Sequence, residues 1–187
     1  RRPRLGGRFP GVAPHSAEPP RGGKPPAGTG VPVQGPTGRG VAATIDAPEG
    51  VLVIGSDQVA TFDGRQIGKP GTHERALAQL VSMQGRDVEF HTALSLYDSR
   101  TGDTQTEDVV THVRFRSLPE AELDAYLRAE TPYDVAGSAK SEGLGIALLD
   151  AIDSNDPTAL VGLPLIALTR MLRAAGYPLF AADGDRA

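Results

Sequence analysis

The chain has 187 residues, with 19 Lys and Arg against 23 Asp and Glu for a formal charge of -4, no Cys, no Trp, 23 Gly and 16 Pro. That length holds one domain with room for an appendage. The lack of cysteine excludes a disulfide scaffold, a thiolate metal site and a cysteine nucleophile. No apolar run approaches the roughly 20 residues of a membrane helix, and the arginine-rich start has no apolar stretch behind its charges. The expectation is a soluble cytoplasmic protein that is neither secreted nor membrane-anchored.

Residues 1–40 differ sharply from the rest. They carry nine prolines, ten glycines and seven basic residues but one acid, Glu18. Proline removes backbone donors and glycine makes ordering costly, so Pro19-Pro20-Arg21-Gly22-Gly23-Lys24-Pro25-Pro26 has little apolar surface to offset the entropy of folding, and disorder is expected. A nucleic-acid-binding arm is the functional alternative, but Phe9 alone interleaves the charges with an aromatic ring, so no nucleic-acid partner is expected. From Val41 onward, residues 41–187 read as a folded α/β domain.

Val51-Leu52-Val53-Ile54 is a continuous apolar run that predicts a strand covered on both faces, ending at Gly55-Ser56-Asp57-Gln58. A second strand, Val59 to Phe62, meets the hairpin turn Asp63-Gly64 and returns through Gln66-Ile67 to Gly68-Lys69-Pro70. Thr72 caps a predicted helix from His73 to Gln84 with an apolar stripe of Ala76, Leu77, Leu80 and Met83, stopped by Gly85. Two strands in hairpin relation follow: Val88, Phe90, Thr92, Leu94 and Leu96 share one face of the first, and Val109, Thr111, Val113 and Phe115 one face of the second. Ser117-Leu118-Pro119-Glu120 reads as a capping box opening a helix to about Ala129 that buries Leu123, Tyr126 and Leu127. Gly143 to Ile152 predicts another strand, and Pro164 to Ala175 a last helix closed by Gly176. Strands with helices on one side indicate an α/β or α+β sheet.

The chemistry legible from residue types is sparse. His15, His73, His91 and His112 have no metal-ligand spacing and read as surface or sheet residues, and there is neither a Walker loop nor a Gly-x-Gly-x-x-Gly after a strand. Ser138 to Gly145 is a small, polar loop that reads as a plain turn, with an anion cradle as the functional alternative. Lys69 reads as a solvated lysine. Asp57 differs, because a carboxylate at the mouth of a buried strand must be solvated, paired or metal-bound, or else cap the next turn.

Four strings in order, Val53-Ile54-Gly55-Ser56-Asp57-Gln58-Val59, Gly68-Lys69-Pro70, Ala136-Gly137-Ser138-Ala139-Lys140-Ser141-Glu142-Gly143 and Leu160-Val161-Gly162-Leu163-Pro164-Leu165, resemble the Maf family of nucleoside triphosphate pyrophosphatases, and within it the 7-methyl-GTP branch. The resemblance runs from about Val41 to Leu179. It implies an elongated, mixed, twisted sheet with flanking helices and a cleft between two lobes, a homodimer, and hydrolysis of a nucleoside triphosphate between its α and β phosphorus atoms with a divalent metal cation, Mg²⁺ or Mn²⁺.

On this resemblance Asp57 is the proton acceptor and a metal ligand, Lys69 and Lys140 bind phosphate, and Gln58 and Glu142 set substrate specificity. These roles fit the chemistry. A carboxylate within reach of water removes its proton as attack proceeds, and cations offset the charge of the triphosphate. A 7-methylguanine ring is cationic and offers N–H donors that a carboxylate accepts. The dTTP/UTP branch carries Thr after its aspartate and Gln in place of Glu142, which makes a dTTP/UTP pyrophosphatase the nearest competing assignment. The family's opening Ser-x-Ser-Pro-x-Arg-Arg loop, Asp-Glu pair and Glu-Lys helix are not legible between Pro3 and Gly40, although Arg1-Arg2 fall where that loop's arginines belong. A stretch of the right length read in the wrong frame accounts for this, since GC-rich codons out of frame yield Gly, Pro, Arg and Ala. If the stretch is genuine, a catalytically impaired nucleotide-binding module is the third expectation.

Overall fold

A computed structural model describes residues 50–180. The expectations for residues 1–40 and for the boundary at Val41 lie outside the described residues. In chain order the elements are β1 (Leu52–Phe62), β2 (Arg65–Ile67), α1 (His73–Met83), β3 (Asp87–Asp98), β4 (Thr104–Phe115), α2 (Glu120–Glu130), β5 (Leu149–Ser154) and α3 (Leu165–Ala174), with short 3₁₀ turns at Ala136–Ser138, Leu144–Leu148 and Ala159–Val161. The five strands form one sheet in the order β2-β1-β3-β4-β5, and each of these pairings is antiparallel. No described helix is long and apolar enough to cross a membrane.

Strand alternation decides which face is covered. Val88, Phe90, Leu94 and Leu96 of β3, with Val109, Val113 and Phe115 of β4, are all buried, as their period of two predicts. They divide into two clusters along the strands. Val88, Phe90, Val113 and Phe115 pack with α1 and α2 through Ala76, Leu80, Met83, Leu123 and Leu127. Leu94, Leu96 and Val109 pack with α3 through Ala167, Leu168 and Met171. Between the clusters, Thr92 and Thr111 are fully buried and hydrogen-bonded, Thr92 Oγ1 to Ala159 O at 2.9 Å and Thr111 Oγ1 to Ser154 Oγ at 3.0 Å. A polar seam thus separates the two apolar clusters on one sheet face.

The local signals work where their physics is local. Asp63 and Gly64 both have positive φ, as a two-residue turn of the I′ kind requires, and Phe62 pairs with Arg65 across it. Thr72 accepts from Arg75 N–H at the start of α1. Gly85, at φ +68, ends that helix and donates its N–H to Phe115 O at 3.0 Å.

Three sequence expectations need correction. The run Val51 to Ile54 does not stop at Gly55: β1 continues for eleven residues through Asp57, because β3 pairs with it from Leu52 to Thr61. Nor is it covered on both faces, since Ile54 is 44% exposed. The capping box does not form. Pro119 is the N-cap of α2, no side chain caps the helix, and the Leu118 N–H goes instead to Gln84 Oε1 at 2.7 Å. Finally, Gly143 to Leu148 is not strand. Leu144–Leu148 winds as a 3₁₀ turn and only Leu149–Ser154 pairs with β4. Gly145 permits this, because a Cβ there would lie 2.8 Å from the Lys140 carbonyl carbon.

Candidate functional site

Adjacent residues of β1 face opposite sides of the sheet. Ser56 and Gln58 point to the helix side. Ser56 Oγ lies 2.7 Å from Gly162 O, and Gln58 Nε2 lies 3.0, 2.9 and 3.2 Å from Thr92 Oγ1, Ala159 O and Leu160 O. The Gln58 amide therefore joins β1 to the turn before α3, across the polar seam. Asp57 points the other way. It is exposed, one carboxylate oxygen accepts the Gln58 N–H at 2.9 Å, and among the described residues no cation pairs with it.

The same outer face carries Glu89 and His91 of β3 and Asp108 and His112 of β4. His91 Nδ1 lies 2.9 Å from Asp108 Oδ2, and Glu89 is within 3.7 Å of His91 and 3.6 Å of His112. These histidines are sheet residues, as expected, and among the described residues no set of three His, Asp or Glu side chains could hold a metal ion.

Lys69 follows β2 and lines an open groove of about 430 Å³ with Gly68, Pro70, Arg75 and Gln79. Gln79 bridges two of the sequence motifs: its Nε2 donates to Gly68 O at 2.9 Å, and its Oε1 accepts from Ser138 Oγ at 2.6 Å. Ser138 is fully buried at φ +56, directly after Gly137 at φ +74. A Cβ at Gly137 would stand 3.3 Å from the Phe90 ring, so this turn sits against the core. The Gly68-Lys69-Pro70 and Ser138–Gly145 segments, 70 residues apart in sequence, are brought together on α1.

Lys140 and Glu142 lie on the second of these segments. The Lys140 backbone N–H reaches Tyr126 Oη at 3.1 Å, and its ammonium is 3.6 Å from Glu130 Oε1. Burial pushes the Tyr126 phenol up, against a lowering by the Lys140 N–H, and the charges of Glu130 and Glu142 push it further up. Glu142 is exposed. Among the described residues no hydrogen bond or ion pair joins Asp57 or Gln58 to Lys69, Lys140 or Glu142.

Sequence reasoning missed Gln79, Glu130 and the Tyr126 hydroxyl. Gln79 stands among Ala76, Leu80 and Met83 on α1, and a polar residue beside a buried stripe was a signal for it. Tyr126 was legible only as an apolar residue.

Asp57, exposed and without a paired cation among the described residues, offers the oxygen donors that a hard divalent cation takes, and no group of described residues completes a protein cage around such an ion.

Comparison with known proteins bears on the whole chain. A family model described as Maf-like protein matches residues 37–175. A 7-methyl-GTP pyrophosphatase of Burkholderia lata is 80% identical over 185 residues, covering 98% of this chain and 88% of that protein. One from Burkholderia thailandensis is 71% identical over 184 residues, covering 98% and 86%, and one from Ralstonia nicotianae is 72% identical over 135 residues, covering 72% and 70%. With a family model matching well over half of its residues and relatives this similar over most of their own length, this chain belongs to the Maf family.

Proposed function

We propose that this chain is a cytoplasmic pyrophosphatase that hydrolyses 7-methyl-GTP to 7-methyl-GMP and pyrophosphate. The observation that carries the reading is the 80% identity, over 98% of the chain, to a protein named for that activity. The residue pattern Asp57-Gln58 with Glu142 supports it further.

In this reading Asp57 takes the proton of a water molecule as the water attacks the triphosphate. The α–β anhydride breaks, and the bond's electrons leave with pyrophosphate. The exposure of Asp57 supports this role, because it leaves the carboxylate open to solvent water. Asp57 would hold a divalent cation, Mg²⁺ or Mn²⁺, and that cation would supply charge neutralisation at the triphosphate. Lys69 and Lys140 hold the phosphate tail, and the contact of their two segments through Gln79 supports a shared role. Glu142 accepts from the guanine edge and offsets the positive charge of the methylated ring. Gln58 acts on specificity by fixing β1 against the Ala159–Leu160 turn.

The proposal includes the division into a leading segment, residues 1–40, and a pyrophosphatase module, residues 41–187. If the leading segment is a displaced reading frame, another frame of the gene encodes the missing Asp-Glu and Glu-Lys helices; absence of both from the other frames refutes this. A homodimer is also part of it, supported by the exposed Ile54, Leu144, Ile146, Val161, Leu165 and Ile166, and tested by the mass of the purified chain in light scattering.

The functional test is pyrophosphate release with Mg²⁺ or Mn²⁺ across 7-methyl-GTP, GTP, dTTP and UTP. The highest kcat/KM is expected for 7-methyl-GTP, and Glu142→Gln should erode that preference. Preferred turnover of dTTP or UTP, or binding of 7-methyl-GTP without pyrophosphate, would refute the assignment.

A further inference from the structure

Glu130 is in an electrostatically poor place. It is the last residue of α2, where the helix dipole disfavours a carboxylate, and its side chain is only 15% exposed. A charge held there against both effects needs compensation, and among the described residues its hydrogen bond and its ion pair come from one loop. Glu130 Oε2 accepts the Leu144 N–H at 2.8 Å, and Oε1 lies 3.6 Å from the Lys140 ammonium. One turn earlier on the same helix face, Tyr126 Oη accepts the Lys140 N–H at 3.1 Å.

The loop is built to receive these two side chains. A Cβ at Gly143 would lie 2.7 Å from both Glu130 carboxylate oxygens, so glycine there lets the carboxylate approach. Gly143 N–H closes onto Lys140 O at 3.0 Å, and Gly145 packs directly on the Lys140 backbone. The loop is thus pinned at Lys140 and at Leu144, and Glu142 is the exposed residue between the two pins.

We infer that Glu130, with Tyr126, is a positioning residue for substrate selection: it clamps the Lys140–Leu144 loop and engages the Lys140 ammonium, leaving the Glu142 carboxylate free to meet a cationic base. This rests on the assignment of Glu142 as the group that reads the base. Without the Glu130 charge, the nearest carboxylate to Lys140 along the loop is Glu142 itself. Pairing between them would cancel the charge that distinguishes 7-methyl-GTP from GTP, two nucleotides that differ by a methyl group and one positive charge.

The test is a nucleotide-preference measurement on the full chain. Glu130→Gln keeps an acceptor for Leu144 N–H but removes the charge. It should lower the ratio of kcat/KM for 7-methyl-GTP over GTP by roughly tenfold, the scale of one charge-assisted contact, beyond any loss through Lys140 that the two nucleotides share. Glu130→Asp, which restores the charge, should recover part of the ratio. In Glu130→Ala, hydrogen exchange at Leu144 N–H should accelerate. Equal loss on both nucleotides in Glu130→Gln, or loss that follows a lowered thermal midpoint and is not recovered by Glu130→Asp, would assign Glu130 a purely structural role and overturn the inference. So would an unchanged ratio in Glu130→Gln where Glu142→Gln abolishes the preference. A wild-type chain that does not prefer 7-methyl-GTP, or a Glu142→Gln chain that keeps the preference, would instead sink the base-reading assignment, and this inference with it.

Discussion

Asp156 is a buried acid, 3% exposed, and a buried carboxylate invites a catalytic reading. Its contacts argue for a structural one. Oδ2 accepts the Ile166 and Ala167 N–H groups at 2.7 and 3.1 Å, and Oδ1 lies 2.7 Å from the Thr158 hydroxyl and 3.2 Å from the Thr158 N–H. Pro164 is the N-cap of α3 and offers no side-chain acceptor, so Asp156 serves the first turn from ten residues upstream. Burial alone would raise its pKa. The hydrogen bonds from Thr158, Ala167 and Ile166 prevail and hold it below the usual carboxylate value. Asp156→Ala removes a helix cap, about 1 kcal/mol, and strands buried donors at about 2 kcal/mol more. The sum of about 3 kcal/mol corresponds to a fall of about 12 °C in Tm for a domain of this size. Thermal unfolding followed by circular dichroism at pH 7 reads it directly. Because the folded pKa is depressed, the contribution is complete above the unfolded value of about 4 and is lost as pH falls through the folded value. The midpoints of wild type and Asp156→Ala should therefore converge in acid. A variant within about 3 °C of wild type at pH 7 would refute the capping account.

Two further predictions concern the loops. Gly145→Ala forces a Cβ onto the Lys140 backbone, so it should cost about 1 to 3 kcal/mol in denaturant unfolding and lower the preference for 7-methyl-GTP; an unperturbed midpoint and preference would show that the close approach does not matter. Lys69→Ala should lower kcat/KM by about tenfold or more for every triphosphate tested, since the contact proposed for Lys69 is to phosphate and not to base, whereas a nucleotide-selective effect would place Lys69 near the ring.

What the sequence revealed follows the range of the forces involved. The β3 and β4 faces were legible because burial repeats every second residue, from Val88 to Leu96 and from Val109 to Phe115. Thr72, Asp63-Gly64, Gly85 and Gly176 were legible because caps and left-handed positions are decided within a few residues. The failures required distant partners. β1 runs through Gly55-Ser56-Asp57-Gln58 because β3 supplies the hydrogen bonds, and no local pattern announces that. Ser117 satisfied a capping motif, yet Pro119 became the N-cap and Gln84, 34 residues before Leu118, took the N–H of that residue. Gly143 to Leu148 had strand-like composition, but Glu130 and Tyr126 on α2 fold the preceding loop back. For the candidate site, motif strings named Asp57, Lys69, Lys140 and Glu142, while Gln79 and Glu130, which connect and pin their loops, act through contacts that span 11 to 59 residues.

In the proposed reaction the Asp57 carboxylate takes the proton from water at a bound triphosphate. Asp57→Asn keeps the size of the side chain and an acceptor for the Gln58 N–H while removing the base, so the decisive measurement is its rate of pyrophosphate release from 7-methyl-GTP alongside calorimetric binding of the same nucleotide. Retained binding with kcat lowered by about 10²- to 10⁴-fold is the expected result. Turnover within a few-fold of wild type would contradict it.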